Sequence, residues 1–391
     1  MLMAKIIAVA QNYAFGPIGK LLTINPYLKA AGYQIQFIGE GTAYQLGSKE
    51  PFDKIVHMDT DSKDFEKKMT NTFKTADVLL SCMDMASVRL AQKVGLYTIW
   101  LDTLFWWRNE IPDYILNVDC YIKQNSVKDG RNMRIYGPKV KNLKSVGPLV
   151  DLSVLDTKKN KNQVIVAFGG MEAKGWYKVG KETNYPFLIR KLLERIDFSE
   201  FENVIITGNE RVIKQMDSKK KINKKFVFQT LPHLQFAQEL ANSKLAIMTP
   251  GLETPLEAFS YNVPTIFLPP SNASNYMQLN SFVKEGVATM KIHFTDYYDE
   301  IKMLNKGFRK RLSLYLDQLH VFEKDTKAQE DMIKRLNEFV KNRDLQNLQV
   351  SRQKTYISNH GNGVKDCLRI ITDLLKTSRK IQRGKAKSTF S

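Results

Sequence analysis

The residues whose types and spacing best suit chemistry lie between Leu245 and Pro270. A short apolar run stops at Thr249-Pro-Gly251, where the chain has to turn sharply. The following Thr254-Pro-Leu-Glu257 has the pattern of a helix start, with threonine as N-cap and glutamate three residues after it. A glycine turn that leads into a helix presents backbone N–H groups and the positive end of the helix dipole. This stretch is therefore predicted to bind phosphate.

Composition limits the class of protein. The chain has 391 residues, 43% hydrophobic and 25% charged, which is typical of a soluble globular protein with room for two domains. Its cysteines (Cys82, Cys120 and Cys367) are too far apart in sequence for a disulfide framework or a metal cluster, so a reduced, cytoplasmic setting is expected. We expect neither a signal peptide nor a membrane span, because no apolar run is long enough for either.

The formal net charge of +19 has two interpretations. It indicates an anionic partner, such as a nucleotide donor, nucleic acid or an acidic membrane surface, or it reflects a lysine-rich proteome that keeps the protein soluble. The basic C-terminal tail either associates peripherally with an anionic membrane or is a solvated terminus. Its basic residues are Lys376, Arg379, Lys380, Arg383, Lys385 and Lys387. Aromatic residues are not interleaved with the basic ones, so no specific nucleic acid is predicted.

Short apolar runs alternate with helical patterns along most of the chain, which predicts parallel sheets built from βαβ units. The first series of strands is predicted at residues 5–10, 33–38, 54–58, 78–81, 98–101 and 120–123. The second is predicted at residues 163–168, 203–207, 226–229, 245–248 and 265–268. A loop is expected at residues 11–19, with a helix after it. Two tandem series with glycines at strand ends predict two Rossmann-like domains with ligands in the cleft between them.

Four segments follow from this pattern. Residues 1–150 are predicted to form an N-terminal Rossmann-like domain, and residues 151–345 a C-terminal Rossmann-like domain, with a hinge near 147–161. Residues 346–375 form a C-terminal helical segment. Residues 376–391 form a basic tail that is expected to be disordered.

With two such domains, the chain resembles the two-domain glycosyltransferases of the GT-B fold. It is most similar to the branch with the UDP-dependent natural-product enzymes and the bacterial peptidoglycan N-acetylglucosaminyltransferase. The similarity covers about three quarters of the chain. It is carried by Phe15-Gly-Pro-Ile-Gly19, Phe168-Gly-Gly170, Gly251, Thr254, Glu257-Ala258, Val263-Pro264, Asn275, Gln278 and Glu285-Gly-Val287.

The resemblance implies a metal-independent hexosyltransferase without a cofactor. It would move a sugar from a nucleotide-diphosphate donor, UDP-linked in this branch, to a small-molecule or cell-envelope acceptor. Residues 1–150 would be the acceptor domain and residues 151–345 the donor-binding domain. Backbone N–H groups would stabilise the departing diphosphate electrostatically. The implied donor-binding residues are Gly169, Gly170, His233, Thr249, Gly251, Leu252, Glu253, Thr254, Glu257, Asn275 and Gln278.

Glu257 has two explanations. As the last residue of Thr254-x-x-Glu257 it closes a capping box onto the N-cap amide and needs no ligand. The resemblance implies instead that it accepts hydrogen bonds from both ribose hydroxyls. His233 likewise either contacts the donor base or caps the helix that follows it.

Residues 1–150 contain no comparable motif for binding an acceptor. Many inverting relatives carry a histidine base in the first loop, and this chain has none there. Asp84 and Asp102, each following a predicted strand, are the candidate bases, although such residues are more often caps. Acceptor contacts are expected from Tyr13, Phe15 and Gly16, and from Trp106 and Trp107, whose aromatic run could equally be a core-packed helix start.

Three other functions are alternatives to a glycosyltransferase. A nucleotide-sugar 2-epimerase shares the fold and donor site but needs no acceptor pocket. A catalytically silent GT-B subunit would bind a nucleotide sugar only, and the missing loop histidine is compatible with that. A dehydrogenase is disfavoured because only Gly16-x-x-Gly19 follows the first strand. The Asp59-Thr-Asp61 sequence is not expected to bind metal, because it lies away from the proposed phosphate site.

Overall fold

The computed structural model describes residues 4–174, 177–218, 223–303 and 306–388, except for the side chains of residues 127 and 377–388. The chain forms two compact units. Unit 1 contains Met1–Val150 and His360–Ser391, and unit 2 contains Asp151–Asn359.

Unit 1 is built on a seven-stranded, wholly parallel sheet in the order β3-β2-β1-β4-β5-β6-β7. Its strands are β1 (Lys5–Ala10), β2 (Gln34–Gly39), β3 (Lys54–His57), β4 (Val78–Cys82), β5 (Tyr97–Asp102), β6 (Cys120–Gln124) and β7 (Leu143–Val146). The connecting helices are α1 (Gly16–Ala30), α2 (Gly41–Gly47), α3 (Phe65–Lys74), α4 (Met85–Lys93), α5 (Asp113–Leu116) and α6 (Gly130–Ile135). Every residue of β4 and β6 is buried, as expected for central strands covered on both faces.

Unit 2 is built on a five-stranded parallel sheet in the order β10-β9-β8-β11-β12. Its strands are β8 (Lys161–Ala167), β9 (Asn203–Thr207), β10 (Phe226–Phe228), β11 (Ser243–Met248) and β12 (Thr265–Phe267). The helices between and after them are α7 (Tyr185–Leu193), α8 (Glu210–Asp217), α9 (His233–Asn242), α10 (Glu253–Ser260) and α11 (Ala273–Lys284). Three further helices complete this unit, namely α12 (Phe308–Lys324), α13 (Thr326–Lys341) and α14 (Arg343–His360).

The last helix, α15 (Val364–Ser388), belongs to unit 1. It follows Gly361-Asn-Gly363, and the Gly363 N–H donates to the Pro148 carbonyl at 2.8 Å. A side chain at Gly363 would collide with the Gly147 backbone, because a Cβ there would lie 2.2 Å from the Gly147 carbonyl oxygen. The close approach of these two segments therefore requires glycine. The basic side chains predicted for the tail, apart from Lys376, lie outside the described residues.

The predicted fold class is confirmed, with two Rossmann-like α/β units and a helical C-terminal stretch. The predicted loop at residues 11–19 is wrong in its second half, because α1 already begins at Gly16. Pro17 stands in the first turn of that helix, where its missing N–H costs nothing. Within the described residues, none of the helices combines the length and apolar character that a membrane span requires.

Candidate functional site

Each sheet contains a point at which the strand order reverses. In unit 2 the chain passes from β8 outward to β9 and β10 and then returns to β11, on the other side of β8. Ligands of open α/β sheets bind beyond the carboxyl ends of the strands at such a point. Ala167 pairs with Met248, so β8 and β11 end side by side and the loops after them flank the reversal.

The loops after β8 and β11 bring four predicted donor-site residues to one edge of the sheet: Gly169, Gly170, Thr249 and Gly251. The Thr249 N–H donates to the Ala167 carbonyl at 3.1 Å, and its hydroxyl donates to the Phe168 carbonyl at 3.4 Å. Gly169 has a φ of +67°, which favours glycine. Its carbonyl accepts the Asn209 N–H at 3.0 Å, which attaches the loop to the start of α8.

Gly251 differs from the other glycines of this edge. A Cβ on Gly251 would meet no atom within 4 Å, and its φ is outside the left-handed region, so neither packing nor backbone geometry requires glycine here. The turn therefore borders open space. Its own N–H is used within the turn, donating to the Thr249 carbonyl at 2.7 Å. The amides that remain for a ligand are those of the first helical turn.

Helix α10 starts differently from the prediction. It begins at Glu253 with Leu252 as N-cap and no side-chain capping hydrogen bond, so the predicted capping box is wrong. Thr254 lies inside the first turn, and Glu257 lies in the second turn, buried at 6% exposure. By contrast, α8 and α11 are capped by the side chains of Asn209 and Asn272. The first-turn amides of α10 have no such side-chain cap.

The remaining predicted donor residues occupy the neighbouring loops and helices. His233 is the first residue of α9, directly after Pro232, which is the N-cap, so the histidine does not stand at the capping position itself. Asn275 and Gln278 lie inside α11 and are buried. The Asn275 side-chain oxygen accepts from the Ser271 hydroxyl at 2.6 Å and from the Asn272 amide at 3.3 Å. That oxygen therefore has a structural role at the helix start.

Unit 1 has its own reversal point between β1 and β4, which the loop at residues 11–15 flanks. The Tyr13 N–H donates to the Gln11 carbonyl at 2.8 Å, and Ala14 adopts a φ of 45°. Phe15 is the N-cap of α1, and Gly16 is the first residue of that helix. The predicted acceptor residues of the first loop therefore lie at the carboxyl edge of this sheet.

Asp84 follows β4 at the same edge and is the N-cap of α4. One carboxylate oxygen accepts the Ser87 N–H at 2.8 Å, and the other accepts the Thr60 hydroxyl at 2.6 Å. Burial raises the pKa of the Asp84 carboxyl above its usual value, although the hydrogen bonds from Thr60 and Ser87 lower it. Thr60 was not singled out from the sequence. It is the middle residue of Asp59-Thr-Asp61, which is thereby attached to the cap of α4.

Asp102 is in a different environment. Its side chain is fully buried and accepts hydrogen bonds from the Leu104 N–H at 2.8 Å, the Arg108 guanidinium at 2.7 Å and the Tyr121 hydroxyl at 2.6 Å. Burial and the neighbouring Asp102 charge raise the pKa of Tyr121 well above its usual value, so the phenol stays protonated and donates. Asp102 thus belongs to a buried ion pair that orders the loop after β5.

The aromatic run forms a 3₁₀ turn at Phe105–Trp107. Trp106 is buried and Trp107 is partly exposed, with the two rings in an edge-to-face contact at 5.6 Å. The Lys128 ammonium lies 3.5 Å from the centroid of the Trp106 ring, a cation–π contact that the sequence prediction missed. Ser126-Val-Lys-Asp129 is the signal that could have located it, because this capping box follows β6 at the same edge.

The described part of the chain contains no cluster of metal-ligating side chains. No group of three or more His, Cys, Asp or Glu side chains there could hold a metal ion.

Comparison with known proteins supports the fold. The sequence matches no protein-family model and no curated protein. Among solved structures, it is similar to Os79 from O. sativa in complex with U2F and trichothecene, with a TM-score of 0.56, 11% identity, and coverage of 95% of this chain and 100% of that one.

Two other solved structures are comparable. UGT73P12 of Glycyrrhiza uralensis, complexed with glycyrrhetinic acid 3-O-monoglucuronide, has a TM-score of 0.51 and 12% identity, covering 99% of this chain and 98% of that one. S. aureus MnaA with UDP has a TM-score of 0.51 and 10% identity, covering 89% and 91%. The fold is the two-domain GT-B fold, as the sequence resemblance implied.

Proposed function

We propose that this chain is a glycosyltransferase that moves a sugar from a nucleotide-diphosphate donor to a small-molecule or cell-envelope acceptor. The observation that carries the proposal is the arrangement at the β8/β11 reversal point. There two glycine turns meet, one of them bordering open space, beside a helix start without a side-chain cap. Such a helix start favours a diphosphate group. The UDP bound by MnaA, which has the same fold, supports a uridine diphosphate donor.

The diphosphate would bind against the first turn of α10. The amides of Leu252, Glu253 and Thr254 stand where no intrahelical carbonyl can accept from them, and Pro255 has no N–H to offer. Gly169 and Gly170 would let the phosphates approach the backbone from the β8 side. Charge that grows on the leaving diphosphate is stabilised by such preorganised donors, so the proposed transfer of a hexosyl group uses no metal ion.

The rest of the donor would extend along the same edge. The loop before His233 follows β10, two strands from β8, which is about 10 Å at the usual strand spacing. That distance suits a nucleoside whose base reaches His233. Glu257 lies buried in the second turn of α10, next to this helix start, and its proposed contact is with the ribose hydroxyls. Gln278 and the amide group of Asn275 are proposed contacts to the donor sugar.

In unit 1 we assign acceptor contacts to Tyr13, Phe15 and Gly16, and to Trp106 and Trp107. Of the two candidate bases, the geometry favours Asp84. It lies beside the reversal point, and burial raises its pKa, which makes its carboxylate a stronger base. Asp102 is less suitable, because a proton on it would disrupt its pairing with Arg108.

Release of nucleoside diphosphate tests this function. The full chain is incubated with a panel of UDP- and dTDP-sugars, with and without a mixture of phenolic, polyol and envelope-lipid acceptors. A transferase releases diphosphate in step with glycosylated acceptor and releases little without one.

The same assay separates the alternatives. A 2-epimerase would interconvert the donor sugar with no acceptor present, and a silent subunit would bind the donor without consuming it. Either pattern would overturn the transferase assignment.

A further inference from the structure

Unit 1 carries a cluster of exposed cations between β6 and β7, here called the basic surface. It consists of Arg131, Arg134, Lys139, Lys141 and Lys144, all of which are exposed. Between residues 120 and 150 the only acidic residue is Asp129, which is buried and holds Lys123 at 2.6 Å. The positive charge of this surface is therefore not balanced by its own segment.

Among the described residues, none of the five cations takes part in an ion pair. Other exposed cations of the chain do pair across elements, as Arg195 does with Glu330 and Lys341 with Asp197. The basic surface thus carries five exposed cations without ion-pair partners in the described residues, on a segment whose single acidic residue is buried. Concentrated positive charge raises the local concentration of anionic partners.

An apolar side chain lies among these charges. Ile135 is 40% exposed and follows Arg131 by four positions in α6, so the two share a helix face. Tyr136, the nearest aromatic residue, has its hydroxyl hydrogen-bonded to the Asn109 carbonyl at 2.8 Å and its ring beneath Lys139. An aliphatic group among cations suits the boundary between lipid headgroups and acyl chains. Single-stranded nucleic acid would favour an accessible aromatic face instead.

The basic surface is attached firmly to the aromatic loop after β5. The Asn132 amide donates to the Phe105 carbonyl at 2.5 Å and to the Arg108 carbonyl at 2.8 Å. The Tyr136 hydroxyl adds a third bond from the same segment to the same loop. A large partner bound at the basic surface would therefore be held close to Trp106 and Trp107.

We propose that the basic surface docks this protein on anionic lipid. The interaction combines the attraction of the five cations for lipid phosphates with insertion of the Ile135 side chain. It does not depend on the proposed glycosyltransferase activity. It differs from association through the C-terminal tail, which is a separate stretch of sequence.

Vesicle binding by the full chain tests the proposal. Cosedimentation is measured with phosphatidylcholine vesicles that do or do not contain phosphatidylglycerol. Binding is expected only with the anionic lipid, and is expected to weaken as salt is raised. The triple variant Arg131→Gln/Arg134→Gln/Lys139→Gln should bind about a hundredfold more weakly, at the usual contribution of a cation near an anionic membrane. Ile135→Ser should lower binding severalfold without changing the charge.

Matched control variants test whether vesicle binding depends on the position of the cations or only on the net charge of the protein. Lys63→Gln/Lys67→Gln/Lys74→Gln removes the same charge from another exposed part of unit 1 and should bind like the wild type. Arg379→Gln/Lys380→Gln/Arg383→Gln tests the tail and should also retain most of the binding. Equal loss in the basic-surface and Lys63 variants, or loss confined to the tail variant, would overturn the proposal. Binding of RNA or DNA fragments with no binding to anionic vesicles would overturn it as well.

Discussion

Gly208 and Gly251 show two different reasons for a glycine at the edge of a sheet. A Cβ on Gly208 would lie 2.6 Å from the Met171 methyl carbon and 2.9 Å from the Gly169 carbonyl oxygen, so the fold itself requires glycine there. At Gly251 the added atom would meet nothing within 4 Å. The fold does not require this glycine, and its proposed role is to allow the close approach of a ligand.

Gly251→Ala should therefore separate binding from folding. The melting temperature is expected to stay close to that of the wild type, because the methyl group has space and the backbone is unstrained. Affinity for a UDP-sugar is expected to fall by about tenfold or more, through loss of roughly 1.4 kcal/mol of binding free energy. Titration calorimetry and thermal unfolding on the same samples measure both quantities.

Gly130→Ala is the matched control. Gly130 also has open space around its Cα and lies in helical backbone, with φ −50° and ψ −41°. It should leave both binding and stability unharmed. A large loss of stability in Gly251→Ala would instead indicate that this glycine serves the fold.

Asp84 and Asp102 are predicted to respond in opposite ways to the same change. Asparagine is as good an N-cap as aspartate, so Asp84→Asn keeps the cap of α4 and removes the ionisable group, while its amide can donate to the Thr60 hydroxyl in place of the oxygen that accepted from it. It should lower kcat by about a hundredfold or more with little change in melting temperature. Asp102→Asn should cost about 3 kcal/mol of stability, since it leaves the Arg108 charge without its buried partner.

Turnover and thermal unfolding of both variants check this contrast. Normal turnover in Asp84→Asn would exclude that residue as the base. An unchanged melting temperature in Asp102→Asn would contradict the structural role of the ion pair.

At the scale of elements, most strands could be predicted from the sequence, because buried parallel strands read as short apolar runs that stop at glycine or proline. The end of α10 also has a local signal in the sequence, Asn262-Val-Pro264. Asn262 adopts a φ of 58°, and the Val263 N–H donates to the Ala258 carbonyl at 2.9 Å, which closes the helix in a Schellman motif.

The start of α10 could not be predicted reliably, for a physical reason. Thr254-Pro255 fits a helix that begins at Pro255, and it also fits one that begins at Glu253. Proline is tolerated anywhere in the first turn, since those N–H groups have no intrahelical partner. The local sequence pattern alone does not distinguish between these two helix starts. The difference matters, because it decides whether Glu257 belongs to a capping box.

Helix α14 shows what the sequence pattern missed. Its buried glutamines hold it by hydrogen bonds to the segment after α11 and to the start of β12, and no apolar stripe on the helix predicts this contact. The Gln349 side-chain oxygen accepts the Thr289 N–H at 2.9 Å and the Met290 N–H at 3.3 Å, and its amide donates to the Val287 carbonyl at 2.7 Å. Gln353 bonds in the same way to the backbone of Thr265 and Val263.

Gln349→Ala is accordingly expected to destabilise the protein by about 3 kcal/mol, because it leaves several buried backbone groups without partners. Asn347→Ala removes an amide from an exposed position of the same helix and should change stability by no more than about 0.5 kcal/mol. Urea unfolding followed by circular dichroism measures both variants. Equal effects would mean that the glutamine network contributes little.

At the scale of the whole molecule, the repeated βαβ pattern predicted two Rossmann-like units. It did not predict that α15 belongs to unit 1. That contact depends on the Gly147–Gly363 approach and on Asn362, whose side-chain amide donates to the Val150 carbonyl at 2.7 Å. Such long-range backbone contacts leave no periodic signal. The surroundings of Trp106, a proposed acceptor residue, could not be predicted for a related reason, because Lys128 contacts this ring only in the folded chain.

Stability should depend on pH through His293. Burial, with a smaller effect of the nearby Lys291 charge, lowers the pKa of this histidine from 6.5 to about 4. Protonation therefore favours the unfolded chain. The stability contributed by the neutral ring is complete above about pH 6.5 and is lost as the pH falls towards 4, by about 3 kcal/mol in all.

The matched variant is His293→Asn, which keeps an acceptor for the Thr295 N–H and removes the titrating ring. Its unfolding free energy should fall less between pH 7 and pH 4.5 than that of the wild type. Chemical unfolding at several pH values measures the difference. Parallel pH profiles for the two proteins would show that His293 does not set this dependence.

The central claim is that the carboxyl edge of the second sheet binds a nucleotide-diphosphate sugar. The most direct measurement is ligand-observed NMR of the unmodified full chain with a panel of nucleotide sugars, together with uridine and inorganic phosphate. The account predicts saturation transfer from the chain to at least one UDP-sugar, displaced by UDP but not by uridine at the same concentration. The absence of binding to every nucleotide and nucleotide sugar in the panel would contradict it.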